Sequence, residues 1–324
     1  MLRTGVAAAS IATGIAVAGP GAAQTAKDYP NRPIRMVIPF TAGSATDLIA
    51  RRVAPKMSEN WNQQVVVDNR GGAGGTLATG IVAKAVPDGY TLLVHSIAYA
   101  MNAALYTKLP YDPLKDFAYV SQLTVSTSLL VVSPKVGVKS VGELIALAKQ
   151  KPGQLSFATS GVGSGTHLNA EMFKQSAGVD AVHVPYKGVP EALIDISTGR
   201  VQFFLTPLVP ALPFIKDGRV VPLAVTTVGR SSVLPDIPAM SETLPGYAFQ
   251  AWFGVFAPTG TPRPIVEKLS REMARIVVLP DITKQFALQG EEGKPSTPDE
   301  FGRFVREEIE RYRKIVKTAG IKVE

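Results

Sequence analysis

Apolar runs alternate with polar, small-residue turns along this chain, and the period of the apolar positions changes from run to run. Residues 34–39 form a short β-branched run that ends in a loop at 40–46. From about 47 to 60, Ile49, Val53 and Met57 recur four apart, which predicts a helix with one buried face and a local kink at Pro55. A second strand is expected at 65–67, and the glycine-rich turn 71–75 leads into a helix around 77–85. Pro87-Asp88-Gly89 is a tight turn before a third strand at 90–94. Strand, helix, strand, helix, strand in this order argues for a parallel sheet with helices on both faces.

The pattern then restarts. A buried strand is expected at 129–132, followed by a capping box, Ser140-Val141-Gly142-Glu143, that opens a helix to about 150. The strand 155–158 runs into a loop at 159–166, and the helix 167–177 is stopped by Gly178. Strands at 182–184, 201–205 and 223–225 and a helix at 190–197, ended near Gly199, complete this second unit. Near the C-terminus, Thr261-Pro262 and Thr297-Pro298 each place a threonine N-cap before a proline, and Glu300 makes the second a capping box. Phe301, Phe304, Val305, Tyr312 and Ile315 stripe one face of the last helix. Two α/β units thus follow one another with no low-complexity linker, which fits lobes joined by ordered crossovers.

Composition narrows the class. The chain has 324 residues, 46% hydrophobic and 19% charged, enough for two domains with real cores. It has no cysteine, which removes disulfides, thiolate metal sites, cysteine nucleophiles and a lipid-bearing anchor at once, and its three histidines make a His-rich metal site a poor reading. Met1-Leu2-Arg3, an uncharged apolar stretch at 6–18, the break Gly19-Pro20 and small residues before Gln24 have the order of a secretory signal peptide, with cleavage expected after Ala23. A short N-terminal helix of the mature domain is the alternative. No later stretch reads as transmembrane, so the expected address is the periplasm of a Gram-negative cell. The net charge of +8 becomes +7 once Arg3 is removed and attracts anions in general. The densest basic cluster, residues 311–314, follows Glu307, Glu308 and Glu310, so it reads as an ion-paired helix face and not as a nucleic-acid contact.

Two loops sit where ligands bind in open sheets, beyond the carboxyl ends of strands. One contains Phe40, Thr41, Gly43, Ser44, Ala45, Thr46 and Asp47, the other Ser160, Gly161, Gly163, Ser164, Gly165 and Thr166. Both are rich in glycine and hydroxyls and run into a helix N-terminus, a chemistry suited to an anion, although two ordinary strand-to-helix turns would look the same. No phosphate-loop, zinc-helix, dinucleotide or nucleophile-elbow motif completes either loop. Several other residues carry open alternatives. His95 lines a cleft or is structural; His167 and Glu171 share a helix face as a structural or solvated pair or, with a third ligand, as a metal pair; Asp195 accepts from a ligand or serves its own helix. Phe40 and Tyr99 pack on a ligand or in the core.

At this point the chain resembles the periplasmic substrate-binding proteins of tripartite tricarboxylate transporters, the Bug/TctC family. The resemblance is carried by Tyr29-Pro30-Asn31-Arg32-Pro33-Ile34, the segments 38–47, 69–75 and 82–93, Leu109-Pro110-Tyr111-Asp112-Pro113, Val184-Pro185-Tyr186-Lys187-Gly188, 252–258 and the region from Thr297-Pro298. It implies an α/β, type II periplasmic-binding (Venus flytrap) fold with a cleft between two lobes. Lobe one would comprise 24–125 plus 253–324 and lobe two 126–252, after a signal peptide at 1–23, with crossovers near 121–131 and 249–257. The chain departs from the family pattern at Gly43-Ser44 in place of paired glycines, at Gly71 in place of a proline, and at Gln202 and Phe204, all of which are expected to retune the pocket.

The resemblance implies a solute-binding protein, not an enzyme, without cofactor or metal. It would capture a small mono-, di- or aromatic carboxylate and deliver it, as a monomer, to membrane permease subunits. Ligand contacts are expected from Phe40, Thr41, Gly43, Ser44, Ala45, Thr46, Ser96, Ser160, Gly163, Ser164, Gly165, Thr166 and Asp195. Two alternatives stay open: a ligand-dependent sensory or interaction module of the same fold, and an exported hydrolase using Ser164 with His167 as base.

Overall fold

The computed structural model describes residues 28–162, 164–186, 188–231 and 234–319. The predicted signal peptide and its cleavage site therefore lie outside the described residues. In chain order the elements are β1 (Ile34–Ile38), α1 (Ala45–Trp61), β2 (Val65–Asn69), α2 (Thr76–Ala83), β3 (Thr91–Ser96), α3 (Ala98–Leu105), β4 (Phe117–Ser126), β5 (Ser128–Val132), α4 (Val141–Gln150), β6 (Ser156–Thr159), α5 (Gly165–Ala177), β7 (Val182–Pro185), α6 (Val189–Thr198), β8 (Phe203–Pro207), α7 (Leu208–Lys216), β9 (Val221–Val225), β10 (Ala251–Pro258), α8 (Arg263–Val277), α9 (Pro280–Ala287), β11 (Glu291–Gly293) and α10 (Pro298–Ala319).

Two sheets form, with strand orders β11-β4-β10-β3-β1-β2 and β7-β6-β8-β5-β9. Period-two alternation in β1 explains the layering of the first. Ile34, Met36 and Ile38 point to one face, where α1 and α8 pack with Ile49, Val53, Ile265 and Leu269, while Val37 points to the other with Ala78, Tyr99 and Phe301. In the second sheet Leu130 and Val132 face α4 and α5, and Leu129 and Val131 face α6 and α7.

The sheets are mixed, where the strand–helix alternation had predicted parallel ones. β1, β2 and β3 are parallel, as are β6, β7 and β8, but β10 runs against β3 and β4, and β5 runs against β8 and β9. The antiparallel strands are those that carry the chain between sheets. It leaves the first sheet at Ser126 and enters the second at Ser128, then leaves at Val225 and returns at Ala251.

Register shows which edge these crossings use. Phe253, at the start of β10, lies opposite Ser96 at the end of β3, and Ser128, at the start of β5, lies opposite Pro207 at the end of β8. Both crossings therefore join the sheets along the carboxyl ends of their parallel strands, and the loops after those strands border one junction. Thr226 ties the crossings together, its hydroxyl donating to Phe249 O (2.8 Å) and Ser128 O (3.3 Å).

α10 begins with the predicted capping box: Thr297 Oγ1 accepts from Glu300 N–H (3.3 Å), and the Glu300 carboxylate accepts from Thr297 N–H (2.9 Å). At α8 the expectation fails. Pro262 is itself the cap residue, and Thr261 Oγ1 donates to Pro258 O (2.7 Å), tightening the turn before the helix instead of capping it.

Candidate functional site

Ser44 caps α1, accepting from Asp47 N–H (3.3 Å), so the helix starts two residues earlier than its periodicity predicted and Ala45 and Thr46 belong to its first turn. The loop before it is held from within. The Asp47 side chain is 1% exposed and accepts from Gly43 N–H (2.8 Å), Asn69 Nδ2 (2.9 Å) and Arg51 Nε (3.0 Å). Burial works against its charge, yet the hydrogen bonds from Arg51, Gly43 and Asn69 outweigh it and hold the carboxyl below the usual carboxylate range. Sequence reasoning counted Asp47 as the start of a helix and missed that it organises the loop. Ser44 N–H donates to Thr41 O (3.2 Å), and Gly43 sits at φ +84°, where a Cβ would be strained. The N–H groups of Ala45 and Thr46 and the Thr46 hydroxyl have no partner among the described residues. The Gly43 N–H, by contrast, is used by Asp47, so Gly43 shapes the loop without donating to a ligand.

The loop after β6 repeats this construction. Ser164 caps α5, accepting from His167 N–H (3.2 Å), and Ser164 N–H donates to Gly161 O (3.2 Å). Again the helix starts early, at Gly165, and the N–H groups of Gly165 and Thr166 have no partner among the described residues. The expected contact Gly163 lies outside those residues. The two loops share the tetrapeptide pattern Gly-Ser-x-Thr, as Gly43-Ser44-Ala45-Thr46 and Gly163-Ser164-Gly165-Thr166, a signal available in the sequence and not used there. They differ at the threonine. Thr166 Oγ1 is engaged by Ser160 N–H (2.8 Å) and by the hydroxyls of Ser160 and Ser164 (3.0 Å each), whereas the Thr46 hydroxyl has no partner among the described residues.

Beside the first loop, residues 71–75 form a turn with positive φ at Gly72, Ala73, Gly74 and Gly75. It is pinned by Asn102 Nδ2 donating to Gly74 O (2.9 Å). Between this turn and Pro39, Phe40, Thr41 and Ser44 lies an open hollow of about 480 Å³. Gly71, where the resemblance predicts a proline, is one of its walls. His95 does not line it. The ring is fully buried in β3, not after it, and packs edge-on against Phe40 (5.7 Å) and Tyr99 (5.7 Å), with Nδ1 accepting from Ser96 N–H (2.8 Å). Burial lowers its pKa to about 3, so it is neutral. Tyr99 is wholly core, stacked on Phe256 at 4.3 Å, while Phe40 is half-buried at the hollow. Ser96 ends β3 at the junction and caps Ala98 N–H (3.3 Å).

Other expected residues turn out to be structural. Both Asp195 oxygens are engaged, by Tyr186 Oη (2.9 Å) and Arg200 Nη1 (3.2 Å). Gln202 accepts from Ser156 N–H (2.8 Å) at the start of β6, and Phe204 is buried against α6 and α7. The first of these departures from the family pattern therefore acts at the half-buried start of β6 and the second in the core. His167 stacks on His183 (4.1 Å) and pairs with Glu171 (3.8 Å), while the Ser164 hydroxyl donates to Gly161 O (2.7 Å). That leaves the serine committed to its own loop and the imidazole facing another ring, which is not the geometry of a nucleophile and its base.

Two α/β halves joined at one edge, each presenting a serine-capped helix start to that edge, are the architecture of two-lobed periplasmic solute-binding proteins. Residues 49–321 match the tripartite tricarboxylate transporter family receptor, and the chain belongs to that family. It is 36% identical over 312 residues to protein BugT of Bordetella pertussis, covering 95% of this chain and 96% of that one. Among solved structures, an R. palustris protein with adipate matches at 38% identity and a TM-score of 0.76, covering 91% of this chain and 99% of that one. MatC from Rhodopseudomonas palustris with bound malate matches at 33% identity and a TM-score of 0.72, covering 89% and 100%.

Proposed function

We propose that this chain is an exported, non-catalytic receptor that captures a small organic carboxylate at the junction of its two sheets and presents the closed form to the membrane subunits of a tripartite transporter. The observation that carries the reading is the paired construction of the loops. Each sheet supplies a serine-capped helix start with two consecutive unbonded N–H groups to the same edge. Such starts carry partial positive charge and suit a carboxylate without a cationic side chain. Adipate and malate, bound by the two relatives above, are of this class. Residues 24–125 with 253–324 would move as one lobe and 126–252 as the other, closing because the ligand adds contacts to both loops. Residues 1–23 would serve as the export signal.

The test is thermal melting of the exported chain, unfolded and refolded to strip carried-over ligand, against a panel of mono-, di-, tri- and aromatic carboxylates. A ligand at about 100 times its Kd stabilises by about 2.7 kcal/mol, which is a shift of several degrees at this size. Thr46→Ala and Ser164→Ala are expected to weaken binding of whichever acid shifts the parent. Unchanged affinity in both overturns the site.

A further inference from the structure

We infer that the acid this site selects has a hydrocarbon body, an aliphatic chain or an aromatic ring, and that hydroxylated acids of the same length bind more weakly. The inference rests on the carboxylate reading above and adds the chemistry of the rest of the ligand.

The hollow beside the first loop is far larger than a carboxylate group requires, and its walls are mostly carbon. Pro39 and the half-buried ring of Phe40 form one side, and the glycine turn forms the other. Of the residues lining it only Thr41 and Ser44 carry polar side chains, and the Ser44 oxygen accepts from Asp47 N–H, which fixes where its hydroxyl sits. The cationic side chains beside the turn are paired, each still about half exposed. Arg51 is bound to Asp47 and to Asn69 Oδ1 (3.1 Å), Arg70 is bound to Asp68 (3.0 Å), and the Asn69 amide donates to Phe40 O (3.0 Å) and Asp47. Two backbone donors of the turn are used internally: Gly75 N–H goes to Gly72 O (2.9 Å) and Arg70 N–H to Ile38 O (2.8 Å). At the rim Leu77 is 52% exposed, with its Cδ2 against Gly72, and in the second loop Val162 is 60% exposed.

A ligand hydroxyl laid against Pro39 and the Phe40 ring gives up water and receives no hydrogen bond from them. A methylene there gains affinity by about fourfold. Gly71 sets how much room the body has. Its φ is not in the left-handed region, and a Cβ added to it would meet Thr41 N and Phe40 C at 3.6 and 3.7 Å, ordinary contact. A side chain at 71 is thus compatible with the backbone and enters the space between the two walls.

The experiment is titration calorimetry on the refolded parent with acetate, butanoate, hexanoate, succinate, adipate, malate, citrate and benzoate. Affinity should rise about fourfold per methylene along each series, succinate should bind at least tenfold more tightly than malate, and Gly71→Leu should weaken the longer acids more than the shorter ones and so flatten the chain-length dependence. Gly71→Ala serves as the smaller version, with a partial flattening, if the leucine variant melts lower than the parent. Carboxylates that bind with no chain-length dependence, or malate and citrate binding as tightly as the hydrocarbon acids, overturn this inference and leave the carboxylate reading standing. Binding of none of the eight overturns that reading and this inference with it.

Discussion

Asp47 should be the residue on which the first loop stands. Replacing it with alanine removes the acceptor for three donors, and the structure says how much each matters. Arg51 is half-exposed and regains water, so its loss counts for no more than about 1 kcal/mol. Gly43 N–H and Asn69 Nδ2 bond to a carboxylate that is itself 1% exposed, and hydrogen bonds to buried charge are worth about 1.5–3 kcal/mol each. Gly43 lies at the surface and recovers part of that from solvent, which puts the total for Asp47→Ala at about 3–4 kcal/mol. At about 2 °C per kcal/mol for a chain of this size, the melting point should fall by roughly 6–8 °C, and Asp47→Asn, which keeps one acceptor, should fall about half as far. Because Gly43 and Ser44 are then no longer pinned, carboxylate affinity should drop at least tenfold. The acid limb supplies a second check. The folded carboxyl titrates below its unfolded value of about 4, so its stabilisation is complete above that pH and is lost as pH falls through the depressed folded value. The melting points of parent and Asp47→Ala should therefore draw closer as pH falls below about 4. An alanine variant that melts within 2 °C of the parent at pH 7 and binds equally well would refute the claim that this carboxylate organises the loop.

Other perturbations have equally definite outcomes. Glu291, buried opposite Ser126 where the chain leaves the first sheet, is pushed up to about 7 by burial, against hydrogen bonds from Thr124 and Ser126 and the charge of Arg52. Its cost in stability grows as pH rises from about 4.5 to about 7, reaching about 3 kcal/mol. Glu291→Gln should thus melt higher than the parent at pH 8 and match it at pH 4.5, and identical pH profiles would contradict this. His183 is lowered to about 4 by burial and by His167 and Lys174, so its contribution is intact above about 6.5 and disappears as pH falls through 4. His183→Phe, which keeps the stack on Phe157, should lose less stability over that window than the parent does, as read by urea unfolding at pH 7, 5 and 4. A Cβ on Gly254 would stand 2.2 Å from Cζ of the wholly buried Phe301, so Gly254→Ala should cost about 2–3 kcal/mol, and a shift below 1 °C would mean that α10 is free to move off β10.

What could be read in advance followed the range of each signal. Period and capping placed β1, α1, α4, α5 and α10 within a few residues, because those signals act within one or two turns of chain. Four elements escaped for local reasons. α3 is short and apolar almost all round, with no face to detect. α7 carries Pro210 and Pro213 and reads as broken, α9 follows α8 with almost no gap, and β11 is three residues of Glu-Glu-Gly. The antiparallel crossings escaped for another reason: Ser96 meets Phe253 and Ser126 meets Glu291 through pairings that no window of sequence contains.

The candidate site divides the same way. Its glycines and hydroxyls were legible as loop chemistry, but which of their groups are free is a question of partners distant in sequence. Asp47 takes the Gly43 N–H only because Asn69, at the end of the neighbouring strand, and Arg51 share its charge. Ser160 is engaged with Thr166, and Asp195 is closed off by Tyr186 and Arg200. Among the described residues, what both loops leave unbonded is one short stretch of helix backbone. A glycine, a serine cap and a buried threonine recur around it in both, because the same local geometry leaves the same two N–H groups exposed to a ligand. A site built this way recognises a carboxylate with groups every residue possesses. Selectivity among acids therefore falls to the surfaces beside the loops, above all to the wall that Gly71 leaves open.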